Sequence, residues 1–320
     1  MKDEKLIRLI EVGELYYVKR MSQIKIADMF GYSRSKVSRM LKKCLDSGIV
    51  DININYPLDR VVFLEETIKN YFSLKDVLVL KDYYSQEYLL QKRYSKMAAN
   101  YLSKLIKNGM RIGVGSGKTL YRIIDKMKYV KKKGVNIVQL KGMAYQEKKY
   151  KYDSPILIRY LSKKLNANYN LLYSPLYIRN EIARKYICED KLIKKTLNEA
   201  KNVDIVLTGI SSIIKYNNTN LSLSSWSGYL EKNEIELMKF DNLSACMMAH
   251  FIKEDGTLMN TDLEESIIGI SIEDLKNIDN VVLCAISKNK AKSVFSALKT
   301  KAINTLITNE ELARELVSYI

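Results

Sequence analysis

The sequence predicts an α/β protein in two parts: a small N-terminal helix-turn-helix domain of winged-helix-like type, then a doubly wound, mostly parallel Rossmann-like body. Three observations carry this. Between Ser22 and Gly48 the chain reads as two short helices about a tight turn, with the basic residues gathered on the second. From about Leu74 short apolar runs alternate with longer helical segments, the pattern of a parallel sheet covered on both faces. The 320 residues are long enough for two hydrophobic cores. The expected boundaries are residues 1–56 for the helix-turn-helix, 57–73 for a linking helix and 74–320 for the α/β body.

In the head, a helix from about Asp3 to Lys19 precedes the segment SQIKIADMFGYSRSKVSRMLKKCLDSG. Ile24, Ile26, Ala27 and Phe30 form an apolar face on the first helix of the pair. Gly31 and Tyr32 make the turn, and Ser33 or Ser35 caps the second helix. Val37, Met40, Leu41 and Leu45 point inward until Gly48 stops it. That phase turns Ser33, Arg34, Ser35, Lys36, Ser38, Arg39, Lys42 and Lys43 outward. An exposed helix carrying Arg and Ser near its N-terminus suits base edges in a major groove, and its Lys residues suit phosphates. The same pattern also fits a solvated amphipathic helix. Ile49 to Tyr56 alternates like a short strand and is read as a wing. Pro57 breaks it, and Leu58 to Phe72 follows as a helix with Val61, Leu64, Ile68 and Phe72 on one stripe, a surface suited to pairing with a second copy.

In the body, strands are expected at Val77–Leu80, Ile112–Val114, Asn136–Leu140, Tyr169–Tyr173, Val203–Thr208, Val281–Ala285 and Thr305–Thr308. Helices are expected at Gln86–Lys107, Leu120–Met127, Pro155–Leu165, Asp190–Ala200, Lys288–Lys299 and Glu310–Tyr319.

Composition narrows the function. A formal net charge of +17 favours polyanionic partners. No apolar run reaches the roughly 18 residues that span a bilayer, and the mixed-charge N-terminus does not read as a signal peptide. Cys44, Cys188, Cys246 and Cys284 are scattered without a CxxC pair, which fits a reducing cytoplasm. His250 is the single histidine, in the apolar context ACMMAHF, and reads as structural. No metal or cofactor is expected.

Open parallel sheets bind ligands beyond the carboxyl ends of their strands. The first such position is Gly113-Val-Gly-Ser-Gly-Lys-Thr119. A strict P-loop needs glycine five places before Gly117, where Ile112 stands, and the glycines do not match GxGxxG either. What remains is a helix N-terminus with backbone N–H groups, formed by Gly115, Ser116, Gly117, Lys118 and Thr119, suited to a phosphate or sugar hydroxyls. The second is Lys141, followed by Gly142. A lysine at the end of a buried strand is open to three roles: Schiff-base nucleophile, hydrogen-bond donor to a phosphate, or plain loop lysine. The third is Gly209 in TGISS, and the fourth Lys290 in SKNK. Trp226 and Tyr229 suit a pocket cover or simple packing.

These pieces, in this order, resemble the SorC/DeoR kind of sugar-binding transcriptional regulator along nearly the whole chain. The resemblance rests on the head segment, on IGVGSGKTLYRI, NIVQLKGM, LLYSPLYI, DIVLTGISS and IIGISIEDLKNI, and on KAKSVFSALKTKAINTLIT. It is nearest to the deoxyribonucleoside-regulator branch, whose corresponding Val-Gln-Leu-Lys-Gly run supplies the lysine that engages a deoxyribose phosphate aldehyde. That residue is Lys141 here. The resemblance implies a double-stranded DNA operator, a phosphorylated sugar effector and self-association as dimer or tetramer. It also leaves a sugar-phosphate isomerase-like enzyme as an alternative. Four positions depart from the family pattern: Ile286-Ser287 for Gly-Gly, Ala245-Cys246 for Gly-Asp, Glu265-Ser266 for Asp-Arg and Asn309 for Asp. They suggest an altered effector or a lost response.

Overall fold

The structure is a computed structural model. It describes residues 2–50, 58–83, 86–143, 150–213, 215–216, 220–221, 242–259 and 262–320. The chain divides into two compact units, Met1–Pro57 and Leu58–Ile320.

In the first unit, α1 (Lys2–Gly13) runs on into a π-helical turn, Glu14–Val18, and is followed by α2 (Gln23–Phe30) and α3 (Arg34–Asp46). The turn is made by local chemistry. Gly31 takes the left-handed conformation, φ 63°, that ends α2, and the Ser33 hydroxyl accepts the Lys36 N–H at 3.2 Å to begin α3. Val12, Ile26, Ala27, Val37 and Leu41 form the core. Two expected inward residues face solvent instead: Ile24 is 59% and Leu45 41% exposed. The buried set on α3 is Val37, Leu41 and Cys44, spaced four and three apart, so Cys44 holds the inward place expected of Leu45. Its thiol donates to the Leu9 carbonyl at 3.1 Å. Of the expected wing, Ile49 and Val50 lie in a bend and Asp51–Tyr56 fall outside the described residues.

The second unit opens with α4 (Val62–Phe72), β1 (Asp76–Leu80), α5 (Glu87–Leu105), β2 (Arg111–Val114), α6 (Lys118–Lys126) and β3 (Asn136–Gln139). Next come α7 (Ser154–Leu165), β4 (Asn168–Asn170), α8 (Glu181–Glu189), α9 (Lys191–Lys201), β5 (Ile205–Thr208) and β6 (Ser211–Ser212). A short ribbon, β7 (Lys215–Tyr216) and β8 (Asn220–Leu221), leads to the hairpin β9 (Leu243–Met247) and β10 (His250–Lys253). The chain finishes with α10 (Asp262–Glu265), α11 (Ile272–Lys276), β11 (Asn280–Cys284), α12 (Ala291–Lys299), β12 (Thr305–Asn309) and α13 (Glu310–Val317).

The seven expected strands form one sheet, in the order β1-β12-β11-β5-β2-β3-β4, with every pairing parallel. Alternation along each strand divides the apolar side chains between two cores. Val77, Val79, Val138, Val206, Val281 and Leu283 enter one, while Leu78, Leu80, Ile137, Ile205, Leu207 and Val282 enter the other.

α4 differs from its reading as a linker. Leu64 and Ile68 are buried in the core of the second unit, with Val61 and Phe72 packed against it, and Phe72 meets Phe295 edge-on at 5.6 Å. The stripe expected to pair with a second copy is thus covered by its own chain. β4 ends at Asn170 rather than Tyr173, and α8 and the antiparallel sheet β10-β9-β6 were not anticipated. That hairpin turns through Met248 and Ala249 at φ 53° and 83°, a conformation usually signalled by glycine or asparagine. No helix among the described residues is long and apolar enough to cross a membrane.

Candidate functional site

In the head, Ser33, Arg34, Ser35, Lys36, Ser38, Arg39 and Lys42 are all exposed on α3. They are not equally free. Ser33 is spent as the cap, 3.0 Å from the Ser35 hydroxyl. The Lys36 ammonium sits 3.4 Å from the Tyr32 ring centre, a cation–π contact that ties the start of the helix to the turn. The Arg39 Nε reaches back to the Ser35 carbonyl at 3.4 Å. The side chains of Arg34 and Lys42 make no hydrogen bond or ion pair with any described residue.

In the body, β11, β5, β2 and β3 are consecutive neighbours in the sheet, so their carboxyl ends stand side by side. This brings the four expected ligand positions to one edge. After β2, the Gly115 N–H donates to the Leu207 carbonyl and the Gly117 N–H to the Tyr152 carbonyl, both at 2.8 Å. Neither is therefore free for a ligand, contrary to the expectation that both would be available donors. The two glycines are there for space and conformation. A Cβ on Gly115 would lie 3.2 Å from the Met248 sulfur, and Gly117 has φ 131°. The donors left over are the N–H groups of Ser116, Lys118 and Thr119 at the start of α6, which make no backbone hydrogen bond with described residues.

Lys141 stands just beyond β3 and pairs with Gly269 in an isolated bridge. Gln139, fully buried, fixes its backbone: the amide nitrogen donates to the Lys141 carbonyl at 2.8 Å, and the amide oxygen accepts the Leu172 N–H at 3.1 Å. Sequence reasoning passed over Gln139, although a polar residue closing an apolar strand was the available signal. The Lys141 amine makes no hydrogen bond or ion pair with any described residue. Its pKa is lowered because burial strips water from the ammonium, against the opposing pull of Cys246 and Asp153. The Gly142 N–H is taken by the Ile268 carbonyl at 2.8 Å, so Gly142 fixes the path of the chain.

Gly209 lies near the Ser116 and Cys284 carbonyls, at 3.8 and 3.9 Å from where a Cβ would stand. The Lys290 amine donates to the Ile210 carbonyl at 3.0 Å, and burial lowers its pKa. Lys290 thereby pins the loop after β5 to the turn before α12. Next to it, Ser287 has φ 94° and donates its N–H to Asn309 Oδ1 at 3.2 Å. Asn309 in turn donates to Asp82 Oδ2 at 2.8 Å. An aspartate at 309 would set two carboxylates face to face, so the departure there is matched by Asp82 at the end of β1. Burial raises the pKa of Asp82.

His250 is buried, with Nε2 2.9 Å from the Ile270 carbonyl and Nδ1 on Glu264. Both ring nitrogens are occupied, in keeping with a structural role. Among the described residues no group of His, Cys, Asp and Glu side chains could hold a metal ion. Trp226 and Tyr229 lie outside the described residues.

A small helical unit thus precedes a doubly wound α/β body whose sheet carries backbone donors at its carboxyl edge, the architecture of a ligand-binding α/β domain with an N-terminal helical head. Residues 56–318 match the family described as "Putative sugar-binding domain", and the chain belongs to that family. It is 26% identical over 318 residues to the deoxyribonucleoside regulator of Bacillus subtilis, covering 99% of each chain. It is also 26% identical over 322 residues to the sorbitol operon regulator of Klebsiella pneumoniae, covering 99% of this chain and all of that one. Among solved structures, the full-length sorbitol operon regulator SorC from Klebsiella pneumoniae matches with TM-score 0.72 at 24% identity, covering 98% of this chain and 99% of that one. A DeoR family transcriptional regulator from Listeria monocytogenes matches with TM-score 0.71 at 25% identity, covering 80% and 98%. The resemblance to SorC/DeoR-type regulators is thus shown over the full length, and the relatives are transcriptional regulators.

Proposed function

We propose that this protein is a sequence-specific DNA-binding regulator of the cytoplasm whose DNA affinity is modulated by a small phosphorylated sugar, with deoxyribose 5-phosphate the first candidate. One observation supports the reading: β2 and β3 are neighbours, so the start of α6 and Lys141 follow adjacent strand ends, and the desolvated Lys141 amine has no hydrogen-bond or ion-pair partner among the described residues. A phosphate suits Ser116, Lys118 and Thr119, and a carbonyl held from there presents itself to Lys141. Arg34, Ser35, Ser38 and Arg39 read bases, with Lys42 on the phosphate backbone. So small a reading head needs two-fold symmetric half-sites, so the working form is a dimer or tetramer.

The test is a thermal-shift panel of deoxyribose, ribose, fructose and triose phosphates, followed by operator binding with and without the hit. A ligand at one hundred times its Kd adds roughly 2.7 kcal/mol of stability. No shift from any member would refute the effector half of the proposal. It would favour a second reading, a regulator that has lost its response, to which the strained Ser287 beside the site lends support.

A further inference from the structure

Lys141 and Asp153 act on one another electrostatically, and each keeps its reactive end free of described partners. Asp153 caps α7, with Oδ1 accepting the Ser154 N–H at 2.8 Å, while Oδ2 makes no hydrogen bond with any described residue. Two packing relationships place this cap at the site. α7 packs against β3, the strand that delivers Lys141. The carbonyl of Tyr152, the residue before the cap, takes the N–H of Gly117 in the glycine turn that opens α6. The cap therefore borders both the lysine and the donors suited to a phosphate.

Loss of water drives both groups toward neutrality. Burial lowers the Lys141 pKa and raises that of Asp153, each against the pull of the other's charge. Cys246, from β9, is the other group acting on Lys141. Both shifts run in the direction that favours the nucleophilic form of the amine and the acidic form of the carboxyl, the two groups an aldehyde needs to become an imine.

We propose that Asp153 is the proton donor for imine formation between Lys141 and the open-chain aldehyde of a sugar phosphate, and the counter-ion of the product. This rests on the reading of Lys141 as the effector contact. The Lys141 nitrogen lone pair forms the bond to the aldehyde carbon, and the carbonyl oxygen takes a proton from the nitrogen to give a carbinolamine. The carbon–oxygen bond then breaks. The hydroxyl leaves as water with the Asp153 proton, and the nitrogen lone pair closes the double bond. Amine, aldehyde and carboxylic acid have become iminium, carboxylate and water, with no other reactant needed. The new ion pair holds the iminium in place.

Asp153→Asn is the decisive variant, because asparagine caps a helix as well as aspartate but cannot donate this proton. The full chain is mixed with deoxyribose 5-phosphate or glyceraldehyde 3-phosphate at pH values from about 5 to 9. Samples are quenched with borohydride over time and the peptide containing Lys141 is weighed, with Lys141→Met as the blank. Wild type is expected to show a rate that rises and then falls with pH. Asp153→Asn should melt at the wild-type temperature, trap on the order of a hundredfold more slowly and lose the alkaline fall. Asp153→Ala should match that slow rate while melting lower, through loss of the cap. Wild-type rates and an unchanged pH profile in Asp153→Asn would overturn the role of Asp153 and leave the sugar-phosphate reading standing. Absence of any adduct in wild type would overturn it as well. Thermal shifts with the same ligands then show whether the broader reading falls with it.

Discussion

A Cβ on Gly142 would collide with the carbonyl of Pro175. The residue after Lys141 is a glycine because two stretches of backbone touch there. The fit continues on the other side, where a Cβ on Gly269 would stand 2.8 Å from the Lys141 Cβ. Lys141 is thus held by close-packed backbone, with Gln139 bonded to its carbonyl. Gly142→Ala is expected to cost about 1–3 kcal/mol and to abolish the thermal shift given by a sugar phosphate, although Lys141 itself is untouched. Chemical denaturation and the ligand shift check the two halves. A full ligand shift in this variant would show that the register at Lys141 does not matter.

The proposed function divides two kinds of contact between residues of α3. On that reading Arg39, whose Nε reaches the Ser35 carbonyl, meets a base, and Lys42, with no partner among the described residues, meets a phosphate. Arg39→Ala is expected to cost roughly 1–3 kcal/mol on the operator and little on random DNA. Lys42→Ala should weaken both alike and reduce the salt slope by about one unit. Fluorescence anisotropy across a salt series distinguishes these outcomes. Equal losses on operator and random DNA for Arg39→Ala would remove it from base reading.

The buried amine of Lys141 has a thermodynamic signature of its own. Its pKa is depressed in the folded chain, so between that value and the ordinary lysine value the unfolded chain holds more protons. Stability from this group therefore grows as pH rises through the window, is complete above the ordinary lysine value, and is lost as pH falls through the folded one. Lys141→Met removes an amine that has no described partner. It is expected to raise neutral-pH stability by roughly 1–3 kcal/mol, to flatten the rise with pH and to eliminate the ligand shift. Denaturant midpoints at several pH values read all three. A destabilised Lys141→Met would mean that the amine is paired in solution.

The strands were legible because each is an apolar run between helices, and alternation alone sends Val77 and Leu78 to opposite faces of the sheet. The hairpin of β9 and β10 was not. Met248 and Ala249 take its turn at positive φ without the glycine or asparagine that would announce it. α8 buries none of its residues, so no stripe marked it as part of a core. At the site, Lys141 was visible as a charged residue closing an apolar strand. Asp153 was not, because its meaning comes from α7 folding back onto β3, a relationship that no local pattern encodes. The glycines of the β2 turn were found for the wrong reason. Their N–H groups are spent on Leu207 and Tyr152, and the space they leave is what the sequence shared with a phosphate cradle.

Ser287 offers the sharpest test of that edge. It holds φ 94° and ψ 130°, a region in which a side chain is strained and glycine is not. The conformation is over-determined. The Ser287 N–H reaches Asn309, which is clamped to Asp82, and the next residues form the turn that carries Lys290 to the Ile210 carbonyl. Because the surroundings impose the backbone, Ser287→Gly leaves it unchanged and removes the strain, on the order of 1–3 kcal/mol. Glycine's larger loss of freedom on folding offsets roughly 0.5–1 kcal/mol of this, so a net gain of about 1 kcal/mol is expected. With the phosphate at the start of α6 and the carbonyl at Lys141, the ligand lies over β2 and β3, and the variant should show the wild-type thermal shift with deoxyribose 5-phosphate. A larger ligand shift would instead extend the ligand to the ends of β5 and β11, beside Ser287. A lower melting temperature would mean that the serine side chain makes a contact worth more than the strain it causes.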